Sequence, residues 1–520
     1  MSITHKEKTQ LTINNSIADY LYMHANKQPE KTFLFFSDEQ YSFKKMAQLV
    51  SAYATHLEKT GVRAGDRIAL ICGNRPAFLI AWLAINELGA IVVPLNTSLK
   101  GDSLRYTLTQ SESKKLLIEP DLLVEKKESI AQLKNLDIEL IGSRLEQLNG
   151  DTNLIRHPSQ TANPLRPASI LFTSGTTGLP KGVVISHQSY LSAGRDMCVS
   201  LGLNENERIM VFLPLFHANP QMYAICSSIV KGCSVILLPR FSASGFFTDA
   251  VSYQATGFTY VGTVLAILEK QYPSKNLDHH VQWCVGGGAP KEVWEKIESR
   301  FGTAVRELYG MTETGGWVSM NTVGQTKLGS VGKARHNVTL KIKAANGAIA
   351  GTNVKGEILA YSSEPGMFFS EYWNNPIETA STIQDGWVHT GDRGWLDEEG
   401  FLYFDGREKE LIRRGGEMIS PTEIELCVME FDDITDCAVV GVADEIMGEE
   451  IKLVVVIKKS FDLDGFYQYL IEKLPKYMVP KFLTKTDFIP KTETQKIKRH
   501  ELNKIDGETI NLKEKYSSSI

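Results

Sequence analysis

No run of apolar residues in this 520-residue chain approaches the ~20 needed to cross a bilayer as a helix, so no transmembrane segment is expected. The opening residues Met1-Ser2-Ile3-Thr4-His5-Lys6-Glu7-Lys8 lack the apolar centre of a secretion signal. Charge of one sign is missing as well. Lys+Arg number 56 against 61 Asp+Glu, and a net charge of -5 gives no footprint for a nucleic-acid partner. Cysteine is sparse: Cys72, Cys198, Cys226, Cys233, Cys284, Cys427 and Cys437 form no CxxC pair and are odd in number, which fits reduced thiols and a cytoplasmic protein. Cys284, within Trp283-Cys284-Val285, reads as a buried strand position rather than a nucleophile. There is no internal repeat, and 42% hydrophobic with 22% charged residues excludes a disordered chain.

The length exceeds one ordinary core and calls for at least two domains. Met46, Leu49, Val50, Tyr53, Ala54 and Leu57 recur at spacings of three and four, predicting an amphipathic helix that stops before Gly61. Layered α/β texture follows, with strands at 67–71 and 90–94 around a helix over 76–88 opened by Asn74 and Pro76. Further strands are expected at 234–238, 257–261 and 281–285. Beyond residue 407 the texture shifts to two short strands (437–442, 451–457), a helix near 466–474 and a Pro/Lys-rich close. The expected fold is therefore α/β: a large multi-layer N-terminal domain, 1–407, and a small mobile α+β lid, 408–520.

The densest chemistry lies in Thr173-Ser174-Gly175-Thr176-Thr177-Gly178-Leu179-Pro180-Lys181-Gly182, which holds three glycines, four hydroxyls and a lysine between two apolar runs. Glycine amides, hydroxyl donors and a point cation are the tools of phosphate binding. A conventional P-loop is excluded, because Pro180 stands at the second glycine position and Gly182 follows Lys181 where Ser or Thr is required. Gly286-Gly287-Gly288-Ala289-Pro290 places a second glycine cluster after a strand, and on its own it reads equally well as a tight turn. Tyr309-Gly310-Met311-Thr312-Glu313 then offers a flat aromatic face, a hydroxyl and a hard oxygen ligand for Mg²⁺. Asp392 follows a glycine turn, suited to accepting ribose hydroxyls.

Taken together and in order, these segments resemble the signatures of the adenylate-forming superfamily, in its acyl-CoA synthetase branch. Gly406-Arg407-Glu408-Lys409 is similar to the family's hinge, with Arg407 matching the arginine on ribose and phosphate and Lys409 the pivot. Pro490-Lys491-Thr492-Glu493-Thr494-Gln495-Lys496-Ile497 resembles the segment whose lysine, here Lys496, bridges carboxylate and nucleotide. Gln495 departs from the family's glycine at that place.

The resemblance implies ATP, Mg²⁺ and coenzyme A. A carboxylate attacks the α-phosphate, pyrophosphate leaves, and the acyl-AMP passes its acyl group to the CoA thiol. Lys496, Lys181 and Mg²⁺ on Glu313 offset the repulsion between anions, with Thr312 and His217 completing the catalytic set. Nucleotide binding falls to residues 173–178, Lys181, Gly287, Gly288, Ala289, Pro290, Tyr309, Gly310, Thr312, Asp392, Arg407, Gly415 and Gly416. The acyl group falls to His217, Val261, Gly262, Gly286 and Gly310. Where amino-acid-activating relatives carry an aspartate, this chain has His217, which disfavours an amino-acid substrate. The segment around His217 looks most like crotonobetaine/carnitine-CoA ligases. No carrier domain follows within residue 520, which supports CoA as acceptor. Transfer to a separate carrier protein, and a homologue impaired at Gln495, stay open as alternatives, and a homodimer is compatible with the family.

Overall fold

The computed structural model describes residues 16–133, 135–142, 163–173, 179–407, 411–458, 461–490 and 497–516. The helix expected at 46–57 lies within Phe43–Lys59 and buries all six of its periodic residues. Ser42 caps it, Oγ accepting from the Lys45 N–H at 3.1 Å. Pro76–Glu87 is buried from Pro76 through Asn86, as a helix apolar on every face must be. Asn74 does not open it. Arg75 holds the N-cap position, and the Asn74 amide donates to the Leu213 and Leu238 carbonyls at 3.0 and 3.2 Å and accepts from the Leu215 N–H at 2.9 Å. Three backbone partners satisfy the amide better than one cap bond.

These helices lie between two sheets. One has nine strands, in the order Lys333–Ala334, Ser319–Met320, Ala304–Tyr309, Trp283–Gly287, Gly257–Val261, Arg208–Val211, Ser234–Leu237, Thr32–Phe36, Glu39–Ser42. Every pairing from Ala304–Tyr309 through Thr32–Phe36 is parallel. The other runs Asp137–Leu140, Lys115–Ile118, Arg67–Ile71, Ile91–Pro94, Pro167–Thr173, Lys181–Ser186, with only the last pair antiparallel. One core joins Phe33 and Val235 of the first sheet to Ile68, Leu70 and Leu171 of the second. An antiparallel five-stranded sheet takes in Val338–Lys343, Gly356–Ser362, Ile383–Gln384, Trp387–Leu396 and Leu402–Arg407.

The fourth sheet draws all its strands from residues 412–511 and has its own core around Val439, Leu453, Phe466 and Leu483. A large α/β part with a smaller α+β part is thus the observed class. Some elements shift: the strand expected at 281–285 is Trp283–Gly287, that at 437–442 extends over Ile434–Asp444, and the helix near 466–474 is Leu463–Lys473. None of the seven cysteines forms a disulfide, and burial pushes the Cys284 thiol well up. No helix among the described residues is long and apolar enough to cross a membrane.

Candidate active site

A cavity of about 860 Å³ opens where the parallel strands of the nine-stranded sheet end and the fourth sheet meets them. Such strand ends are where open α/β sheets place ligands. Thr173, His217, Val261, Gly262, the run Gly287 to Pro290, Tyr309, Gly310, Thr312, Glu313, Asp392, Gly415 and Gly416 all line it. Residues from seven separate stretches of chain are therefore brought to one place.

Tyr309 ends its strand nearly buried, stacks on Phe404 at 5.6 Å between centroids, and donates its hydroxyl to Asp392 Oδ2 at 2.8 Å. Asp392 sits within the ten-residue strand Trp387–Leu396 rather than after a free turn. Gly391, at φ +66°, forms a bulge there, and the pairing with Gly356–Ser362 shifts register across it. Glu313 lies in the short turn Thr312–Thr314, and its Oε1 accepts from the Tyr372 hydroxyl at 2.7 Å. Burial and the Glu313 charge push the Tyr372 hydroxyl far up, keeping it a donor.

Lys181 opens strand Lys181–Ser186, opposite Thr173, but its ammonium turns to the Glu378 carboxylate and lies 5.3 Å from the Tyr372 ring centre. Residues 174–178, which include Ser174, Gly175, Thr176, Thr177 and Gly178, lie outside the described residues, as do Lys409 and Lys496; of Arg407 only the backbone is described. Gly286 falls one residue short of the wall. A Cβ there would stand 2.0 Å from the Tyr260 carbonyl oxygen, so this glycine serves strand packing and does not open room for an acyl chain. Gly262 is needed for a similar reason: its Cβ would stand 1.8 Å from the Gly288 oxygen, and Gly288 itself has φ +92°.

His217 follows the buried segment that Asn74 anchors and precedes the π-helical turn Pro220–Ile225. Its Nε2 lies 3.0 Å from Oε1 of Glu417, a residue of the fourth sheet. Burial alone would lower the His217 pKa, but the Glu417 carboxylate outweighs it and raises it; the same pairing lowers Glu417 against its own burial. Gly415 and Gly416, with φ +60° and +92°, turn the hairpin between Ile412–Arg414 and Glu417–Ile419, the backbone a two-residue hairpin loop requires. The hairpin tip presses on Val261.

Sequence reasoning passed over Glu307, Tyr372 and Glu378 and gave Glu417, which follows Gly415 and Gly416, no role of its own. Glu307 is 5% exposed yet accepts from the Tyr260 hydroxyl at 2.5 Å, from the Ala289 N–H at 3.1 Å and from the Gly288 N–H, so it braces the glycine run from below. Burial pushes its carboxyl up to about 7. Strand alternation sets Glu307 on the face of Val305 and Tyr309, a signal that could have found it. A metal could be held at Glu313. Among the described residues no group of three acidic, His or Cys side chains forms a metal site. One buried carboxylate nonetheless suits Mg²⁺, which keeps waters and takes phosphate oxygens from its substrate.

A family model described as AMP-binding enzyme matches residues 21–373, and one described as AMP-binding enzyme C-terminal domain matches 423–496. A probable CoA ligase of Humulus lupulus is 33% identical over 476 residues, 88% of this chain and 89% of that protein. The crotonobetaine/carnitine–CoA ligase of Escherichia coli is 30% identical over 482 residues, 89% of this chain and 93% of that one. Among solved structures, o-succinylbenzoate CoA synthetase of Bacillus subtilis, as a double mutant bound with its product analogue OSB-NCoA, is 27% identical with TM-score 0.85, covering 95% of this chain and 99% of that one. The same synthetase in complex with its acyl-adenylate intermediate is again 27% identical, covering 94% and 99%, but its TM-score is 0.69. With identity constant, the difference between the scores lies in arrangement.

Proposed function

The chain belongs to the AMP-binding enzyme family, and from that premise we propose how its residues divide the work of an AMP-forming acid–thiol ligase. The reaction is two-step: a carboxylic acid and ATP give acyl-AMP and pyrophosphate, then CoA takes the acyl group and AMP leaves. AMP is the competent leaving group that a free carboxylate lacks. In our reading Tyr309 and the run Gly287 to Pro290 enclose the adenine, Asp392, oriented by the Tyr309 hydroxyl, takes the ribose, and Thr173, Thr312, Lys181 and the loop 174–178 take the phosphates. Glu313 would hold Mg²⁺, which supplies charge neutralisation to the phosphates. Arg407 contacts ribose and phosphate, Lys496 bridges carboxylate and nucleotide, and Lys409 is the pivot of a lid that begins at 408.

The observation that carries this reading is the convergence of Tyr309, Glu313, Asp392, His217 and the Gly415-Gly416-Glu417 hairpin on one cavity. The hairpin contact and the greater likeness to the product-analogue complex favour a second-step arrangement. A smaller cavity of about 400 Å³, with an apolar wall including Cys72, Phe216, Phe241 and Ile267, shares Val261 and Gly415 with the first and is our route for the acceptor's thiol arm. Ala218, Tyr223, Val261, Gly262 and Gly316 give the acid an uncharged wall beside the mutually neutralising His217–Glu417 pair, which favours a tail without net charge. That none of the seven cysteines forms a disulfide supports a cytoplasmic setting.

The test is release of pyrophosphate and AMP over a panel of carboxylic acids, with and without CoA. A CoA-dependent thioester is expected. Adenylate formed equally without any CoA product points to a carrier-protein acceptor instead. Lys496→Ala should abolish acyl-AMP formation yet largely spare thioester formation from supplied acyl-AMP; equal loss of both sinks the role given to Lys496.

A further inference from the structure

Glu378 is placed on Lys181 by a bracket of chain that also fixes Glu313. The helix Pro376–Thr382 begins at Asn375, whose Oδ1 accepts from the Glu378 N–H at 3.2 Å, so the Glu378 backbone is pinned in a first helical turn. The preceding residues are stitched to the phosphate side of the cavity. The Trp373 N–H donates to the Gly182 carbonyl at 2.7 Å, the Val184 N–H to Glu371 at 3.0 Å, and the Phe369 N–H to the Glu313 carbonyl at 2.9 Å. Within this bracket the Tyr372 ring offers its face to the Lys181 ammonium and its hydroxyl to the Glu313 carboxylate. Lys181 and Glu378 side chains are 10% and 25% exposed, so their pairing is only partly screened by solvent.

One cation thus faces two carboxylates across a single aromatic ring. A phosphate anion recruited to Lys181 must draw it from Glu378, and the vacated carboxylate then repels that anion at short range. We propose that Glu378 is a positioning residue that holds Lys181 between turnovers and reclaims it as pyrophosphate departs, trading affinity for release. The inference rests on the reading of Lys181 as a phosphate contact.

Direct titration of the full chain with magnesium pyrophosphate by calorimetry tests both separately. Glu378→Gln should bind pyrophosphate about fivefold more tightly than wild type, the upper range for loss of a partly exposed competing pair. Lys181→Met should bind it more weakly, and in the Lys181→Met background Glu378→Gln should gain clearly less than the about fivefold it gains in wild type, because competition for the ammonium is gone and only direct repulsion is relieved. Glu378→Ala provides a second variant should the amide fold poorly, with the same tightening expected. A gain in affinity cannot come from a disturbed fold. If Lys181→Met weakens binding while both Glu378 variants bind as wild type or more weakly, the counter-ion role is overturned and Lys181 stands. If Lys181→Met leaves pyrophosphate binding unchanged, the reading of Lys181 fails and the inference with it.

Discussion

Neutralising Glu417 should slow thioester formation and leave adenylation almost untouched. The His217–Glu417 pair is the described ion pair between the cavity wall and the Gly415-Gly416 hairpin, with a 3.0 Å contact and side chains 40% and 23% exposed. A pair this accessible contributes about 0.5–1 kcal/mol, which shifts a docking equilibrium by about two- to fivefold. Glu417→Gln should therefore slow single-turnover transfer from preformed acyl-AMP to CoA by about two- to fivefold, with pyrophosphate release in the first step within about twofold of wild type. His217→Ala combined with Glu417→Gln should cost no more than the worse single variant. The pH dependence has two edges. As pH rises through the raised pKa of His217 the imidazolium is lost, and with it the contribution; as pH falls through the lowered pKa of Glu417 the carboxylate is lost. Between the two the pair is intact, and Glu417→Gln should flatten that window. Equal slowing of both half-reactions, or unchanged transfer, refutes the reasoning.

The buried Glu307 carboxyl, moved from 4.5 to about 7, binds a proton in the folded form that the unfolded chain has released. Wild-type stability should then fall by up to about 3 kcal/mol between about pH 5 and 8, and Glu307→Gln should remove that fall; parallel urea midpoints for the two proteins would count against it. Asp196→Ala should cost about 3–5 kcal/mol in urea unfolding, because it strands Arg335, whose Nε lies 2.6 Å from Asp196 and whose side chain is 1% exposed over Trp317. Gly262→Ala should drive the 262 and 288 backbones apart and raise the KM for ATP about tenfold, with a loss of about 1–3 kcal/mol in stability; an unchanged KM would detach Gly288 from the nucleotide.

Local pattern made much of this molecule legible. The helix at Phe43–Lys59 follows from periodicity, because one face of it is buried in a continuous core, and the strands Arg67–Ile71, Ile91–Pro94 and Gly257–Val261 follow from short apolar runs that are buried on both faces. The cavity residues were legible because glycines, hydroxyls and charges cluster within a few positions. Pairings across long separations were not. Lys181 and Glu378 stand 197 residues apart, Glu313 and Tyr372 59, and His217 and Glu417 200, and no spacing rule connects such partners. The surroundings of Asn74 and Gly286 were hidden for a related reason. Each answers to a backbone from another strand or loop, Leu213 to Leu215 for one and Tyr260 for the other, which neighbours in sequence do not reveal.

The hairpin turned by Gly415 and Gly416 gives the cavity a wall that belongs to the fourth sheet, and Arg413 and Glu417 stand on its two strands. With the lid pivoting as proposed, a small molecule that touches Val261 and Gly416 at once would recognise a moment of the catalytic cycle as well as a shape. Its potency would depend on how long the enzyme dwells there, so raising the CoA supply and raising the ATP supply should change inhibition in opposite directions. Selectivity against relatives with similar cavities could then be sought in timing.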